Sequence, residues 1–260
     1  MSDEIISLHR WFDSPPGRYL LAWEQEQHDE LVADLFGYHA VQLGMSGLEG
    51  LRTNRVPHRW LALGEAESRL EPQPGAPAQR AHLLADPVAL PFEPASIDLV
   101  LLPHALELSV DPHAALREVE RVLVPEGRVV ISGLNPWSLW GLRQRRARLY
   151  QRFGGGGDLY LPDVGEFIGP GRVRDWLRLL NFEVDTFSFG CYRPAVRQDR
   201  WLERFDWMDG LGARWWPILG AAYTVVAIKR VHGMRLLAAP WRHAASKAAA
   251  PVPVAQRRRR

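Results

Sequence analysis

Residues 85–137 read ADPVALPFEPASIDLVLLPHALELSVDPHAALREVERVLVPEGRVVISGLNPW. The run IDLVLL at 97–102 is almost continuously apolar, which is typical of a strand covered on both faces. The acid and proline at 111–112 form a helix start, with a capping side chain and a proline in the first helical position. The sequence PEG at 125–127 ends that helix, and a strand is predicted over 128–132. A strand, a helix and a second strand in this order predict a parallel sheet.

The same alternation extends to both sides of this stretch. A helix is predicted over 24–36, and Asn181 takes the left-handed cap position after a second helix whose apolar positions run from Val173 to Leu180. Further strands are predicted at 38–43, 59–63, 182–189 and 223–229. The whole pattern predicts an α/β fold, a three-layer sandwich of a mostly parallel sheet with helices on both faces. Ligands of such sheets bind beyond the carboxyl ends of the strands.

Composition is that of an ordinary globular domain. Of the 260 residues, 47% are hydrophobic and 24% are charged, which excludes a mainly disordered chain, a collagen and a coiled coil. The longest apolar runs are shorter than the roughly 18 residues of a membrane span, so no membrane partner is expected. The acidic N-terminus has no apolar signal region and the single cysteine, Cys191, cannot form an internal disulfide, so a reducing, cytoplasmic location is expected.

Charge is divided unevenly along the chain. Residues 1–135 contain 10 arginines against 20 acids, whereas residues 136–260 contain 22 Lys and Arg against 10 acids. One interpretation is that the second half faces an anion, which would be a substrate, a nucleic acid or an acidic partner. The other is that the two halves attract each other within the fold.

Domain organisation follows from composition as well. Residues 1–237 are predicted to form one domain, and residues 238–260, rich in Ala and Pro and ending in four arginines, a disordered basic tail. Segments 136–171 and 191–220 are interpreted as substrate-lid or insert segments. The sequence leaves the oligomeric state open.

The stretch 85–137 resembles the class I S-adenosylmethionine-dependent methyltransferases, specifically the type-11 domain family. The matching pieces, in order, are Asp86, LPF at 90–92, IDLV at 97–100, DP at 111–112, the helix with RE at 117–118 and RVL at 121–123, and PEG at 125–127. The resemblance extends more weakly over about 21–230. It implies a Rossmann-like methyltransferase fold with an antiparallel last strand, and S-adenosylmethionine as the cofactor.

The resemblance also implies roles for two acids. Asp86, followed by Pro87, matches the acid that accepts from the adenine amino group; the alternative is a turn residue. Glu65, which lies 21 positions after Gly44, matches the acid that binds the ribose hydroxyls; the alternative is a solvated acid at a helix start.

The glycine loop departs from the family pattern of an acid followed by three glycines at alternate positions. Gln42, Gly44, Ser46 and Leu48 occupy those four places, with an additional Gly47. Gln42, Gly44, Ser46 and Gly47 remain the cofactor-binding candidates of this loop. Glycine lets the backbone approach a cofactor closely, so Gln42→Glu with Ser46→Gly is expected to tighten binding.

Two catalytic candidates follow the later strands. His104, with Glu107, follows the fourth strand where the family lines its site, so His104 is a candidate base and a cofactor contact; the alternative is a helix-start histidine outside the site. The sequence Asn135-Pro136-Trp137 resembles the Asn-Pro-Pro-aromatic motif of amino-group methyltransferases, although it follows the fifth strand rather than the fourth. The alternative is a turn that leads into a lid.

The remaining motifs concern partners. Arginines alternate with Trp140 and Tyr150 at positions 143, 145, 146, 148 and 152, a pattern that can hold phosphates and stack on RNA bases or form a solvated helix face. The tryptophans at 201, 207, 215 and 216 are predicted to pack a C-terminal subdomain. The nine histidines show no metal-ligand spacing, so no metal site is expected.

These observations lead to two hypotheses about function. The first is an S-adenosylmethionine-dependent methyltransferase acting on a small-molecule or anionic acceptor that the sequence does not identify. The alternative is a non-catalytic binding protein that keeps the fold and docks RNA or an acidic partner through its basic C-terminal half.

Overall fold

A seven-stranded sheet is the centre of the computed structural model of this chain, which describes residues 2–70, 82–154, 159–162 and 167–231. The strands are β1 (His39–Leu43), β2 (His58–Leu63), β3 (Leu83–Leu84), β4 (Ile97–Pro103), β5 (Leu123–Leu134), β6 (Phe182–Gly190) and β7 (Ala222–Lys229). Their order across the sheet is β3-β2-β1-β4-β5-β7-β6. Strands β1 to β5 are parallel, and β7 is antiparallel to both of its neighbours, β5 and β6. The predicted fold class, including the antiparallel last strand, is confirmed.

Nine α-helices and one 3-10 turn surround the described part of the sheet. They are α1 (Ser2–Phe12), α2 (Pro15–Ala33), α3 (Glu65–Ser68), α4 (Ala105–Leu108), α5 (Pro112–Val122), α6 (Leu139–Arg152), α7 (Pro170–Leu179), α8 (Asp199–Arg204), α9 (Trp207–Trp215) and the turn Pro217–Leu219. Helices α5 and α7 pack their buried side chains on one face of the sheet. Helix α2 packs on the other face. This arrangement is the predicted three-layer sandwich.

Local signals explain where several of these elements begin and end. The Asp111 side chain accepts a hydrogen bond from the Ala114 amide at 2.9 Å and caps α5, as the acid and proline at 111–112 predict. Asn181 has a φ of 60°, the left-handed conformation predicted after α7. The predicted loop at 71–79 and the predicted tail at 238–260 lie outside the described residues.

The N-terminal part of the fold differs from the prediction. Helix α2 begins at Pro15, not at residue 24, and α1 precedes it. The Ser14 hydroxyl accepts from the Gly17 amide and proline occupies the first helical position, both of which are helix-start signals. The prediction missed residues 15–23, where the buried positions Pro16 and Gly17 are residues of low helix propensity.

The predicted packing role of the C-terminal tryptophans is wrong. Trp201, Trp207, Trp215 and Trp216 are between 36% and 70% exposed. Helix α9 faces the protein through Gly212, where an added Cβ would lie 2.2 Å from the Tyr192 ring. Close packing on this glycine leaves the larger side chains of α9 facing outward.

The loop that follows β1 is held together by Gln42. Its side-chain amide nitrogen lies 3.0 Å from the Gly44 and Met45 carbonyl oxygens and 2.8 Å from that of Leu48. Its carbonyl oxygen accepts from the Gly50 amide at 3.0 Å. No helix follows the loop, since residues 44–57 form turns and irregular structure. Gln42 therefore holds together a connection made of turns. In the family pattern, the residue at this position is a charged acid.

Leu48 is part of the same connection. It is buried in a cluster with α1 and α2, so its side chain packs against the N-terminal helices and not in the ligand edge of the sheet.

We predict that Gln42→Glu lowers the free energy of unfolding by about 3 kcal/mol, because a carboxylate cannot donate to the loop carbonyl oxygens and would be a buried charge. The acid that the family pattern favours for cofactor binding is thus expected to destabilise this loop. Urea denaturation at neutral pH measures the change. The matched control is Gln198→Glu at the exposed N-cap of α8, where the same change should stay within about 0.5 kcal/mol. Equal stability of Gln42→Glu and the wild type would contradict this role.

Candidate active site

Four of the predicted site residues lie at one edge of the sheet. Gly44 follows β1, Glu65 begins α3 after β2, Asp86 follows β3 and His104 follows β4. These four strands are parallel, so their carboxyl ends lie at the same edge. The topology therefore brings together the residues that the sequence analysis selected from separate segments.

Two glycines at this edge, Gly44 and Gly64, have free space beside their backbone where a side chain would otherwise lie. Gly44 has a φ of 81°, in the region that favours glycine. A Cβ added there would meet only Glu67 Oε2 at 3.4 Å and the Pro103 carbonyl oxygen at 4.0 Å. A Cβ added to Gly64 would meet nothing within 4 Å. Space for a ligand against the main chain is thus present beside both β1 and β2.

The acid that reaches the glycine loop is Glu67, not Glu65. The Glu65 side chain is 75% exposed and pairs with Arg69. The Glu67 side chain is buried, accepts from the Ser46 amide at 3.3 Å and lies 3.2 Å from His9 Nε2. Sequence reasoning missed Glu67 because its burial depends on a contact with α1, which is 58 positions away in the chain.

The other cofactor-binding candidates of the loop are Ser46, Gly47 and Gln42. Ser46 and Gly47 form a turn and both are half-buried. Gln42 makes its hydrogen bonds inside the loop, so its side chain is committed to the protein itself.

Asp86 is exposed and belongs to a turn. Its Oδ1 accepts from the Val88 amide at 3.1 Å, and its carbonyl oxygen accepts from the Ala89 amide at 2.9 Å. Pro87 occupies the second turn position, which it favours. The turn leaves Oδ2 without a hydrogen-bond partner among the described residues, so the turn role and a ligand role are compatible.

His104 is the centre of a buried charged cluster. It is fully buried with a φ of 54°. Its Nδ1 lies 2.7 Å from Glu107 Oε2, and its Nε2 lies 2.9 Å from Glu24 Oε1. Burial alone would lower the pKa of His104, but the Glu24 carboxylate and the hydrogen bond to Glu107 raise it to about 10. At neutral pH the imidazole is therefore protonated and both nitrogens face carboxylates, so this geometry does not suit a general base.

The two carboxylates of this cluster connect it to other elements. Glu107 Oε1 accepts from the Leu134 amide at 2.7 Å, at the end of β5. Burial raises the pKa of Glu107, although the contact with His104 opposes that shift. Glu24 is fully buried in α2, and its backbone carbonyl lies 2.8 Å from His28 Nδ1. The cluster thus fixes α2 and α4 to the ends of β4 and β5.

Asn135 also acts within the protein. Its side-chain nitrogen donates to the Ile218 and Gly220 carbonyl oxygens at 2.8 and 2.9 Å, and its side-chain oxygen accepts from the Trp137 amide at 3.0 Å. Asn135 is buried and ties the end of β5 to the turn before β7. The sequence 135–137 is therefore a turn into α6.

Membrane-spanning helices and metal-ligand clusters are both absent from the described part of the chain. No helix within the described ranges has the length and apolar content needed to cross a bilayer. Likewise, no three His, Cys, Asp or Glu side chains in the described part of the chain converge as metal ligands.

We predict that the stability contributed by His104 decreases as pH rises. Its folded pKa of about 10 exceeds its ordinary value of 6.5, so the contribution is complete below about pH 6.5 and is lost towards about pH 10. His104→Gln leaves two buried carboxylates unpaired and should cost about 3–5 kcal/mol near pH 6.5. The difference from the wild type should narrow towards pH 10, as measured by chemical denaturation.

The exposed His58→Gln is the control for this pH series and should show no such dependence. A difference between His104→Gln and the wild type that stays constant from neutral pH to pH 10 would contradict the assignment of a protonated His104.

Sequence comparison identifies relatives of this chain. The family model described as "Methyltransferase domain" matches residues 63–131, from the end of β2 into β5. YafS of Escherichia coli (strain K12) is 33% identical over 181 residues, which make up 69% of this chain and 67% of YafS.

Solved structures share the fold. A methyltransferase of Haloferax volcanii, solved in complex with a methyltransferase activator, matches with a TM-score of 0.54 at 15% identity, over 87% of this chain and 97% of its own. A SAM-dependent methyltransferase of Thermotoga maritima gives 0.54 at 15% identity, over 85% and 94% of the two chains. One from Archaeoglobus fulgidus gives 0.51 at 15% identity, over 80% and 94%. The family match and the 33% identity to YafS, together with this shared fold, show that the chain belongs to the class I S-adenosylmethionine-dependent methyltransferases of the type-11 domain family.

Proposed function

We propose that this protein binds S-adenosylmethionine at the carboxyl edge of β1 to β4 and transfers its methyl group to an acceptor. The observation that supports this most is the buried Glu67 carboxylate beside the open backbone of Gly44. The family places an acid at position 42, where this chain has a glutamine. Glu67 brings a carboxylate to the same loop from α3, so the loop regains the charge that a cofactor ammonium requires.

The other residues of the edge suit the remaining parts of the cofactor. Glu65 is exposed at the start of α3 next to Gly64, where the main chain is open, and is proposed to accept from the ribose hydroxyls. Asp86 offers Oδ2 to the adenine amino group while Oδ1 maintains the turn. Bound there, the sulfonium supplies an already activated methyl group, so the protein has chiefly to align the acceptor.

The N-terminal helices enclose this edge. His9 of α1 lies 3.2 Å from Glu67, and the Phe12 ring lies 5.4 Å from the His104 ring. We infer that α1 excludes water from the methyl-transfer end of the site. His104 and Asn135 are positioning residues in this proposal, because the side chains of both are committed to contacts within the protein.

A second candidate function is a binding protein that has kept the fold without catalysis. It is favoured by the loop itself, since Gln42 is fully engaged in the loop and the Ser46 amide already pairs with Glu67. In this case the basic second half would bind RNA or an acidic partner.

Calorimetric titration of the full chain with S-adenosylmethionine and with its demethylated product separates the two candidates. Binding of both ligands supports the methyltransferase proposal. No heat with either ligand at millimolar concentration, from a protein that is folded by circular dichroism, would overturn it in favour of the second candidate.

We predict that Glu67→Gln weakens binding of S-adenosylmethionine by about 10- to 100-fold, as expected for the loss of a charge-assisted contact of about 1.5–3 kcal/mol. Glu65→Gln should have a smaller effect because that side chain is solvated. Glu93→Gln is the matched control, since Glu93 is exposed and precedes β4 at the opposite edge of the sheet. Unchanged affinity in folded Glu67→Gln would refute the proposed role of this acid.

We predict a similar loss for Asp86→Asn. The amide oxygen of asparagine can still accept from the Val88 amide, so the turn is retained, but the other atom becomes a donor that faces the adenine amino group. The expected loss of affinity corresponds to about 1–3 kcal/mol, with no change in melting temperature. If Asp86→Asn binds as tightly as the wild type, Asp86 is only a turn residue.

A further inference from the structure

Helix α6 has a buried face that is hydrogen-bonded to the protein and an exposed face that is apolar and basic. On its inner face Trp140 and Gln144 are buried. The Gln144 side-chain oxygen accepts from the Tyr160 and Leu161 amides at 2.8 and 2.9 Å, and the Trp140 ring nitrogen donates to the Arg193 carbonyl oxygen at 2.8 Å. These bonds fix the rotation of α6 about its axis.

The outward face is apolar along its centre. Leu139, Leu142, Leu149 and Phe153 are between 42% and 83% exposed. Their spacing of three, seven and four positions places them on one stripe of the helix surface. An exposed apolar stripe of this length on a single helix indicates an interaction surface for a protein, a membrane or a ligand.

Positive charge lies along this stripe. The segment 139–153 contains five arginines and no acid. Arg146 falls within the stripe and Arg152 beside it; neither has an ion-pair partner among the described residues. Arg145 lies over the Trp137 ring, with 4.4 Å between the guanidinium carbon and the ring centre. The charges of Arg146 and Arg152 are thus available to an anionic partner.

The exposed apolar surface continues beyond α6. Asn135 joins Trp137, which precedes the helix, to Ile218 of the turn before β7, and both side chains are more than half exposed. That turn directly follows α9, where Trp207, Leu211 and Trp215 are exposed at intervals of four residues. Tryptophan favours the boundary between water and a bilayer.

We propose that the outward face of α6, with Trp137 and Ile218, docks on the surface of a bilayer that contains anionic lipids. The leucines and Phe153 would enter the boundary between headgroups and acyl chains, and the arginines would pair with lipid phosphates. Three of the four residues of the stripe are leucines, which offer no stacking surface for bases, so the stripe fits lipid better than RNA. The expectation from sequence that the protein has no membrane partner rests on the lack of a membrane span. Docking at the bilayer surface needs no span, so this proposal departs from that expectation.

Sedimentation of the full chain with phosphatidylcholine vesicles, with and without phosphatidylglycerol, tests the proposal. Binding should require phosphatidylglycerol and weaken with salt. Leu149→Ser with Phe153→Ser should reduce partitioning by about tenfold, and Arg146→Gln with Arg152→Gln by about fivefold per arginine. The matched control is Phe36→Ser with Leu179→Ser, two equally exposed positions away from α6, which should leave partitioning unchanged.

Three results would overturn the proposal. The first is an absence of binding to vesicles that contain phosphatidylglycerol. The second is binding that the α6 variants leave unchanged, which would assign it to another basic segment such as Arg257–Arg260. The third is a wild type that binds single-stranded RNA but not vesicles, with RNA binding reduced by the arginine substitutions and not by Leu149→Ser with Phe153→Ser. That outcome would make α6 an RNA-binding face.

Discussion

The buried contact of His104 with Glu24 and Glu107 is the interaction on which the arrangement of the candidate site depends. It joins the end of β4 to α2 on one side and, through the Glu107 bond to the Leu134 amide, to the end of β5 on the other. Removing three charged groups from water is costly, and only their close mutual approach compensates for it. Because the contact demands one geometry, it positions the N-terminal helices over the carboxyl edge of the sheet.

In the glycine loop, Gln42 organises the loop and Glu67 supplies the negative charge, so two positions share what a single acid provides in the family pattern. In the family pattern an acid at the end of β1 brings a negative charge to the loop. Here Gln42 holds the loop through hydrogen bonds that an acid could not make, and the negative charge comes from Glu67 of α3. This division keeps a carboxylate beside Gly44 without burying a second one in the core of the turn.

Part of the positive charge of the second half of the chain is concentrated on α6, where residues 139–153 contain five arginines and no acid. The inner face of this helix is held by Gln144 and Trp140, while its leucines, Arg146 and Arg152 are exposed. The charge segregation seen along the chain therefore coincides with an apolar surface, which simple attraction between the two halves would not require. Helix α6 begins a few residues after the carboxyl end of β5, next to the edge that carries the candidate site.

The sequence by itself determined the α/β class, the parallel order of strands and the edge at which Gly44, Glu65, Asp86 and His104 lie. These features depend on local periodicity, caps and the geometry of parallel strands, all of which are encoded within short segments. Only the tertiary structure decided that Glu67 reaches the loop, that both ring nitrogens of His104 face buried carboxylates, and that the tryptophans of α9 face outward. Each of these depends on burial by an element distant in the chain. Burial sets both the pKa of a side chain and the energy of its contacts.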